Sequence, residues 1–139
     1  MMKLWTTLLM VSSLAGCAVL TNTAPINLNK GAETKATAPV INSLSASPTN
    51  LTTGQPITFD VKASDPNGKS LEYRWNATGG VISANVGQSI SWTPPSEPNT
   101  YPVQVTVTNS DGLTSSGTLN VIVKADGNVS VGAPSNEGE

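Results

Sequence analysis

The strongest constraint on this chain is the period of its apolar residues. Between Pro39 and Lys124 they recur at every second position, in short runs separated by turn-forming residues. A period of two turns one face of an extended strand toward a core and the other toward water, which a helix of 3.6 residues per turn cannot do. Ile57, Phe59, Val61 and Ala63 alternate with Thr58, Asp60 and Lys62. Leu71, Tyr73 and Trp75 alternate with Glu72 and Arg74, and Tyr101, Val103, Val105 and Val107 form the cleanest run. Residues 40–46, Ile90 with Trp92, and Leu119 with Val121 and Val123 read as further strands, with a weaker stretch at Val81-Ile82.

The breaks between these runs have their own chemistry. Asp65-Pro66-Asn67-Gly68 is a turn, because proline presets φ while asparagine and glycine tolerate positive φ. Pro94-Pro95 and Pro98 stop a strand, since proline cannot donate to a ladder. Asn109-Ser110-Asp111-Gly112 reads as a hairpin turn. About seven short strands with such punctuation predict an all-β sandwich over residues 39–124, not a parallel sheet. One-sided alternation predicts a core of Phe59, Val61, Tyr73, Trp75, Trp92, Tyr101, Val105, Leu119 and Val121.

The chain has 139 residues, room for one domain with extensions. Its formal charge is only −2, with charged residues at 12%, and no basic cluster that would hold nucleic acid or anionic lipid. It has no histidine and one cysteine, so neither an internal disulfide nor a Cys/His zinc site is available.

That single cysteine, Cys17, follows a secretory layout. Met1-Met2-Lys3 carries a positive charge, and an apolar stretch runs from Leu4 to Leu14. It is too short to span a bilayer, which takes about 18 or more apolar residues. Leu14-Ala15-Gly16-Cys17 then resembles the bacterial lipobox at all four positions. The resemblance implies a signal peptide over 1–16, recognised by its peptidase through Leu14, Ala15 and Gly16. It further implies a diacylglyceryl group on the Cys17 thiol and an acyl group on its freed amine. The residues fit that chemistry: Ala15 and Gly16 leave the backbone accessible, and a thiolate is a strong nucleophile. Two or more acyl chains give stable membrane anchoring where one gives only marginal binding. Ala18 stands where an aspartate would mark inner-membrane retention, so the resemblance implies the outer membrane if the cell has two.

Residues 17–38 are small, polar and aperiodic, and read as a flexible linker. A coil of that length spans roughly 25 Å on average, enough to lift a domain clear of lipid headgroups. Residues 125–139 are rich in Gly, Ser, Asn and Pro and read as a disordered tail.

Within the domain, Ala63-Ser64-Asp65-Pro66-Asn67-Gly68 followed by Leu71-Glu72-Tyr73-Arg74-Trp75 resembles PKD and related bacterial immunoglobulin-like domains. So do Ser91-Trp92-Thr93-Pro94-Pro95 and the stretch from Tyr101 to Gly112. The likeness covers residues 39–124 and departs from the PKD pattern at Asn76-Ala77-Thr78-Gly79-Gly80, where those domains carry an Asp-Phe-Gly-Asp-Gly-like run. It implies that Trp75 packs between two sheets, that Tyr101 takes a corner position, and that the domain is a spacer or binding module rather than an enzyme.

Three constellations deserve weighing. Asp65-Pro66-Asn67-Gly68-Lys69-Ser70 opens like a calcium loop, but Lys69 and Ser70 stand where an Asp or Asn and a Gly belong, which favours a plain turn. Tyr73, Trp75 and Trp92 would make a sugar-stacking platform if exposed, yet all share the inward phase of their strands. A catalytic carboxylate pair would have to come from Asp60, Asp65, Glu72, Glu97 or Asp111, with Asp60 and Glu72 on neighbouring strands in many such folds. No catalytic residue, metal site or soluble cofactor is expected. The sequence therefore predicts a non-catalytic, lipid-anchored envelope protein whose domain is a protein-interaction module or spacer. Its partners would be the membrane and an envelope protein, not nucleic acid. Two alternatives stay open: a carbohydrate-binding module for peptidoglycan or surface glycan, and an accessory subunit of a secretion or appendage machine.

Overall fold

A computed structural model describes residues 35–137; the expected signal peptide, Cys17 and most of the expected linker lie outside them. The strands are β1 (Val40–Ser47), β2 (Asn50–Thr52), β3 (Ile57–Ser64), β4 (Leu71–Ala77), β5 (Val81–Ile82), β6 (Ser89–Thr93), β7 (Asn99–Asn109), β8 (Thr114–Val123), β9 (Asn128–Val131) and β10 (Ser135–Glu137). They form two antiparallel sheets, one in the order β1-β3-β6-β5 and the other β2-β9-β8-β7-β4, with β10 also paired to β8. This is the two-sheet sandwich that the alternation and turn spacing predict, and the architecture that the resemblance to bacterial immunoglobulin-like domains implies.

The long β7–β8 hairpin is the spine of the larger sheet. Ten residue pairs run from Asn99↔Val123 to Thr108↔Thr114. Its turn closes as Asn109 N–H donates to Leu113 O (2.9 Å) and Gly112 N–H donates to Asn109 O (2.9 Å). Strict alternation along β7 buries Tyr101, Val103, Val105 and Val107 and leaves Pro102, Gln104, Thr106 and Thr108 facing out.

Aromatic rings join the two sheets. Phe59 of β3 lies 6.0 Å from Trp75 of β4 and 6.2 Å from Trp92 of β6, and Trp92 lies 6.3 Å from Tyr101 of β7, all centroid to centroid. These are tilted or edge-on pairs, the geometry that ring quadrupoles favour. The buried indoles also satisfy their N–H groups. Trp75 Nε1 donates to Gly87 O (2.8 Å) and Trp92 Nε1 to Gly79 O (2.9 Å). The predicted core is buried except for Tyr73, which is half-buried at the edge strand β4 and accepts a hydrogen bond from Gln88 Nε2 (3.0 Å).

Residues 83–88 stitch the sheets together along one side. Ser83 N–H donates to Ser91 O in the smaller sheet, while Trp75 N–H donates to Asn85 O and Gly87 N–H to Tyr73 O in the larger one. Val61 N–H then donates to Gln88 O, back in the smaller sheet. The outer edge of β4 is thereby capped, which removes a row of unpaired donors and acceptors.

The structure corrects the sequence reading at both ends. The expected disordered tail instead folds back on β8 through the Lys124–Asn128 turn. Val129 pairs with Val123 and is buried, and β10 continues along the same edge after a break at residues 132–134. β9 in turn holds β2, so these three strands are additions to the expected seven. The physical reason is that Val129 and Val131 complete the core with a two-residue alternation too short to stand out among Gly, Asn and Pro. At the other end Thr37, assigned to the linker, is tied down: its N–H donates to Asn67 Oδ1 (3.2 Å) and its carbonyl accepts from Asn109 Nδ2 (2.9 Å).

Candidate functional site

The most polar buried cluster lies where the β3–β4 turn meets the β7–β8 hairpin. Asn109 is 3% exposed and makes four side-chain hydrogen bonds. Its Nδ2 donates to Thr37 O and to Asp65 Oδ2 (2.7 Å), and its Oδ1 accepts from Asp111 N–H and Leu113 N–H. Every hydrogen-bonding capacity of that buried amide is used, as burial demands. Asp65 Oδ1 accepts from Asn67 N–H (2.7 Å) and Lys69 N–H (3.2 Å). The Asn109 amide, the two backbone N–H groups and the nearby Lys69 ammonium hold the Asp65 carboxyl below its ordinary range, against partial desolvation. Lys69 Nζ sits 3.1 Å from Asp111 Oδ1.

This arrangement is a clasp and not a cation site. Both Asp65 oxygens already accept from N–H donors, and an ammonium neutralises Asp111. No group of three or more His, Cys, Asp or Glu side chains among the described residues is placed to hold a metal. Asn109 was legible in the sequence only as a turn residue; its reach to Thr37, 72 positions away, carries no local signal.

The carboxylates do not converge on a catalytic pair. Asp60 lies on β3 opposite Ser45 and Ser89 in the smaller sheet, while Glu72 lies on β4 opposite Thr108 in the larger one. The expectation that Asp60 and Glu72 occupy neighbouring strands is corrected: β3 and β4 belong to different sheets, and both side chains are exposed. Glu97 contributes its backbone, accepting from Tyr101 Oη at 2.9 Å, a corner contact that fixes the turn before β7. The aromatic platform does not exist as such, since Trp75 is 4% exposed and Trp92 wholly buried.

Gly80 sits against that buried indole. A Cβ there would lie 2.5 Å from Thr93 O and 2.6 Å from Trp92 Nε1, and its φ is +74°. Gly80 is therefore the close approach that seats Trp92.

The register aligns the residues of the larger sheet's outer face in rows. Register places Asn76, Gln104, Thr118 and Ser135 in one row across four strands. The next rows hold Arg74, Thr106 and Ser116, then Glu72, Thr108 and Thr114. On the other side Pro102 faces Asn120. The two central strands, β7 and β8, place no charged side chain on this face.

The geometry agrees with the comparisons. Residues 38–124, more than half of the chain, match the family model described as Putative Ig domain. Over 82 residues the chain is 37% identical to Chitinase A of Pseudoalteromonas piscicida. That segment is 58% of this chain but 10% of the chitinase, so the chain spans about a tenth of that relative's length. No solved structure matches. With its two-sheet architecture and the family match over 38–124, the chain belongs to the Putative Ig domain family.

Proposed function

We propose that the chain is a non-catalytic lipoprotein of the cell envelope, in which lipid on Cys17 anchors an immunoglobulin-like domain that serves as a protein-interaction module or spacer. The observation that carries the non-catalytic reading is the use made of the domain's reactive-looking groups. The indoles are packed between the sheets, Asp65 is consumed by the Asn109 clasp, and Asp60 and Glu72 sit on different sheets. The matched segment is a tenth of the chitinase, so there it is one part of a larger chain, which suits a spacer. The outer edge of β1 supports protein contact: among the described residues β1 pairs with β3 alone, and it is eight residues long and carries no charge. Anchoring is tested by growing cells with radiolabelled palmitate. Label enters the wild type and is lost in Cys17→Ala; equal labelling of both would overturn the anchor. In-cell crosslinking followed by pulldown tests the protein-interaction role, which predicts one dominant crosslinked protein.

A specific observation favours a second reading, carbohydrate binding. The relative that shares this module is named as a chitinase, and the module occupies a small part of it, as an accessory domain would. The outward residues of β7 and β8 supply hydroxyl and amide groups, flanked on β4 by Glu72 and Arg74. Co-sedimentation with insoluble glycan separates this reading from protein contact.

A further inference from the structure

We infer that the seam between β1 and β8 is a docking site for an extended segment of another protein with a branched aliphatic side chain at its centre, and that β10 is the chain's own weak occupant of that site. This inference rests on the protein-interaction reading and gives it a place and a partner chemistry. Residues directly opposite in an antiparallel ladder share one face of the sheet. The inward positions along β8 are Gly117, Leu119, Val121 and Val123, all buried. On the outer edge of β8, Val129 stands opposite Val123, Val131 opposite Val121 and Asn136 opposite Gly117. The inward row of that edge therefore reads valine, valine, asparagine. Val129 is buried and Val131 packs against the core, whereas Asn136 is exposed.

The slot that Asn136 occupies is apolar. A Cβ on Gly117 would lie 3.1 Å from Leu44 Cδ2, 3.3 Å from Asn136 Oδ1 and 3.5 Å from Ile41 Cδ1, so these three side chains converge where Gly117 has none. Leu44 and Ile41 belong to β1 in the other sheet, and Ile41 is only half-buried. The core thus reaches the surface here beside an amide, and an aliphatic side chain in the same place would remove more apolar area from water. Neither β1 nor residues 114–118 of β8 carry a charged side chain, so a neutral apolar strand enters without stranding a charge. β10 itself is lightly held. It is Ser-Asn-Glu, makes three ladder pairs, and follows a break in the pairing at Gly132-Ala133-Pro134. An incoming strand would make the same ladder bonds that β10 gives up, so the side chain over Gly117 decides between them. Being part of the chain favours β10. A branched aliphatic at the Asn136 position is the gain that lets a separate strand displace it.

The test uses the detergent-solubilised full chain and two fluorescein-labelled peptides, read by anisotropy. One peptide copies residues 132–139, Gly-Ala-Pro-Ser-Asn-Glu-Gly-Glu; the other has valine in place of its asparagine. The valine peptide binds about tenfold more tightly, the effect of burying part of one aliphatic side chain. The same change made in the protein, Asn136→Val, acts in the opposite direction. The chain's own strand then fills the slot, the valine peptide binds about tenfold more weakly, and the thermal midpoint is no lower than in wild type. Equal binding of the two peptides overturns the apolar slot. Valine-peptide binding that Asn136→Val leaves unchanged puts the strand elsewhere and overturns this site, with protein contact intact. Self-association of the full chain that Asn136→Val abolishes makes the occupant a second copy and overturns a separate partner. If neither peptide binds while in-cell crosslinking still captures one dominant protein, this inference alone falls. If both fail, the protein-interaction reading beneath it falls as well.

Discussion

At the residue scale, two positions are more tightly constrained than their residue types suggest. Gly80 is one of several glycines with positive φ, but it alone would place a Cβ within 3 Å of the Trp92 indole and the Thr93 carbonyl. Gly68 has a similar φ, +70°, and nothing within 4 Å of its missing Cβ. Gly68→Ala therefore carries only backbone strain, about 1 kcal/mol. Gly80→Ala adds overpacking and costs about 2–4 kcal/mol in all. Chemical denaturation of the two variants checks the difference; equal losses would contradict the seating of Trp92. The second residue is Asn109. Through it the Asp65 carboxyl is held below its ordinary value, so the folded state favours the ionised form. That contribution is complete above the unfolded carboxylate range and fades as pH falls through the lowered folded value. Stability measured from pH 6 downward falls in acid, and in Asp65→Asn the part of the fall that begins below about pH 4 shrinks. An identical acid profile in the variant would contradict the clasp.

At the scale of elements, the C-terminal pair β9 and β10 is the part that most changes the picture of the domain. β9 buries Val129, bonds to β8 on one side and β2 on the other, and so closes the larger sheet beyond residue 124. A chain ending at Lys124 loses that burial and leaves β2 without its partner strand. The loss is about 3 kcal/mol, which lowers the thermal midpoint by roughly 10–20 °C for a domain of this size. A midpoint within a few degrees of the full chain would show the strands to be ornamental. The same elements show what was legible. β3, β4 and β7 each carry four or so alternating apolar positions, and that pattern alone determined their extent and inward faces. β2 offers only Leu51, and β10, Ser-Asn-Glu, offers no apolar residue; their pairing is written in backbone geometry supplied by β9 and β8. Asp60 and Glu72 fail as a pair for a related reason. Alternation tells which face a residue takes within its sheet but not which sheet its strand joins. The clasp of Asn109 and the polar rows of the outer face share this dependence on partners far away in the chain, so neither had a local signature.

At the scale of the whole molecule, the described residues form a small sandwich held by one hydrophobic core between its two sheets. Its buried indoles report this state. Tryptophan emission of the folded domain is blue-shifted and resists iodide, since Trp75 and Trp92 are enclosed. Red-shifted, quenchable emission that persists once the leader's Trp5 is gone would reopen the aromatic platform. In the proposed reading, where the sandwich acts is set at the other end of the chain, by lipid on the thiol of Cys17. The most direct measurement is the intact mass of the protein purified from native membranes. The account predicts a chain beginning at Cys17 and heavier than its polypeptide by a diacylglyceryl and an acyl group. A polypeptide that begins at Met1 and carries no lipid would contradict it.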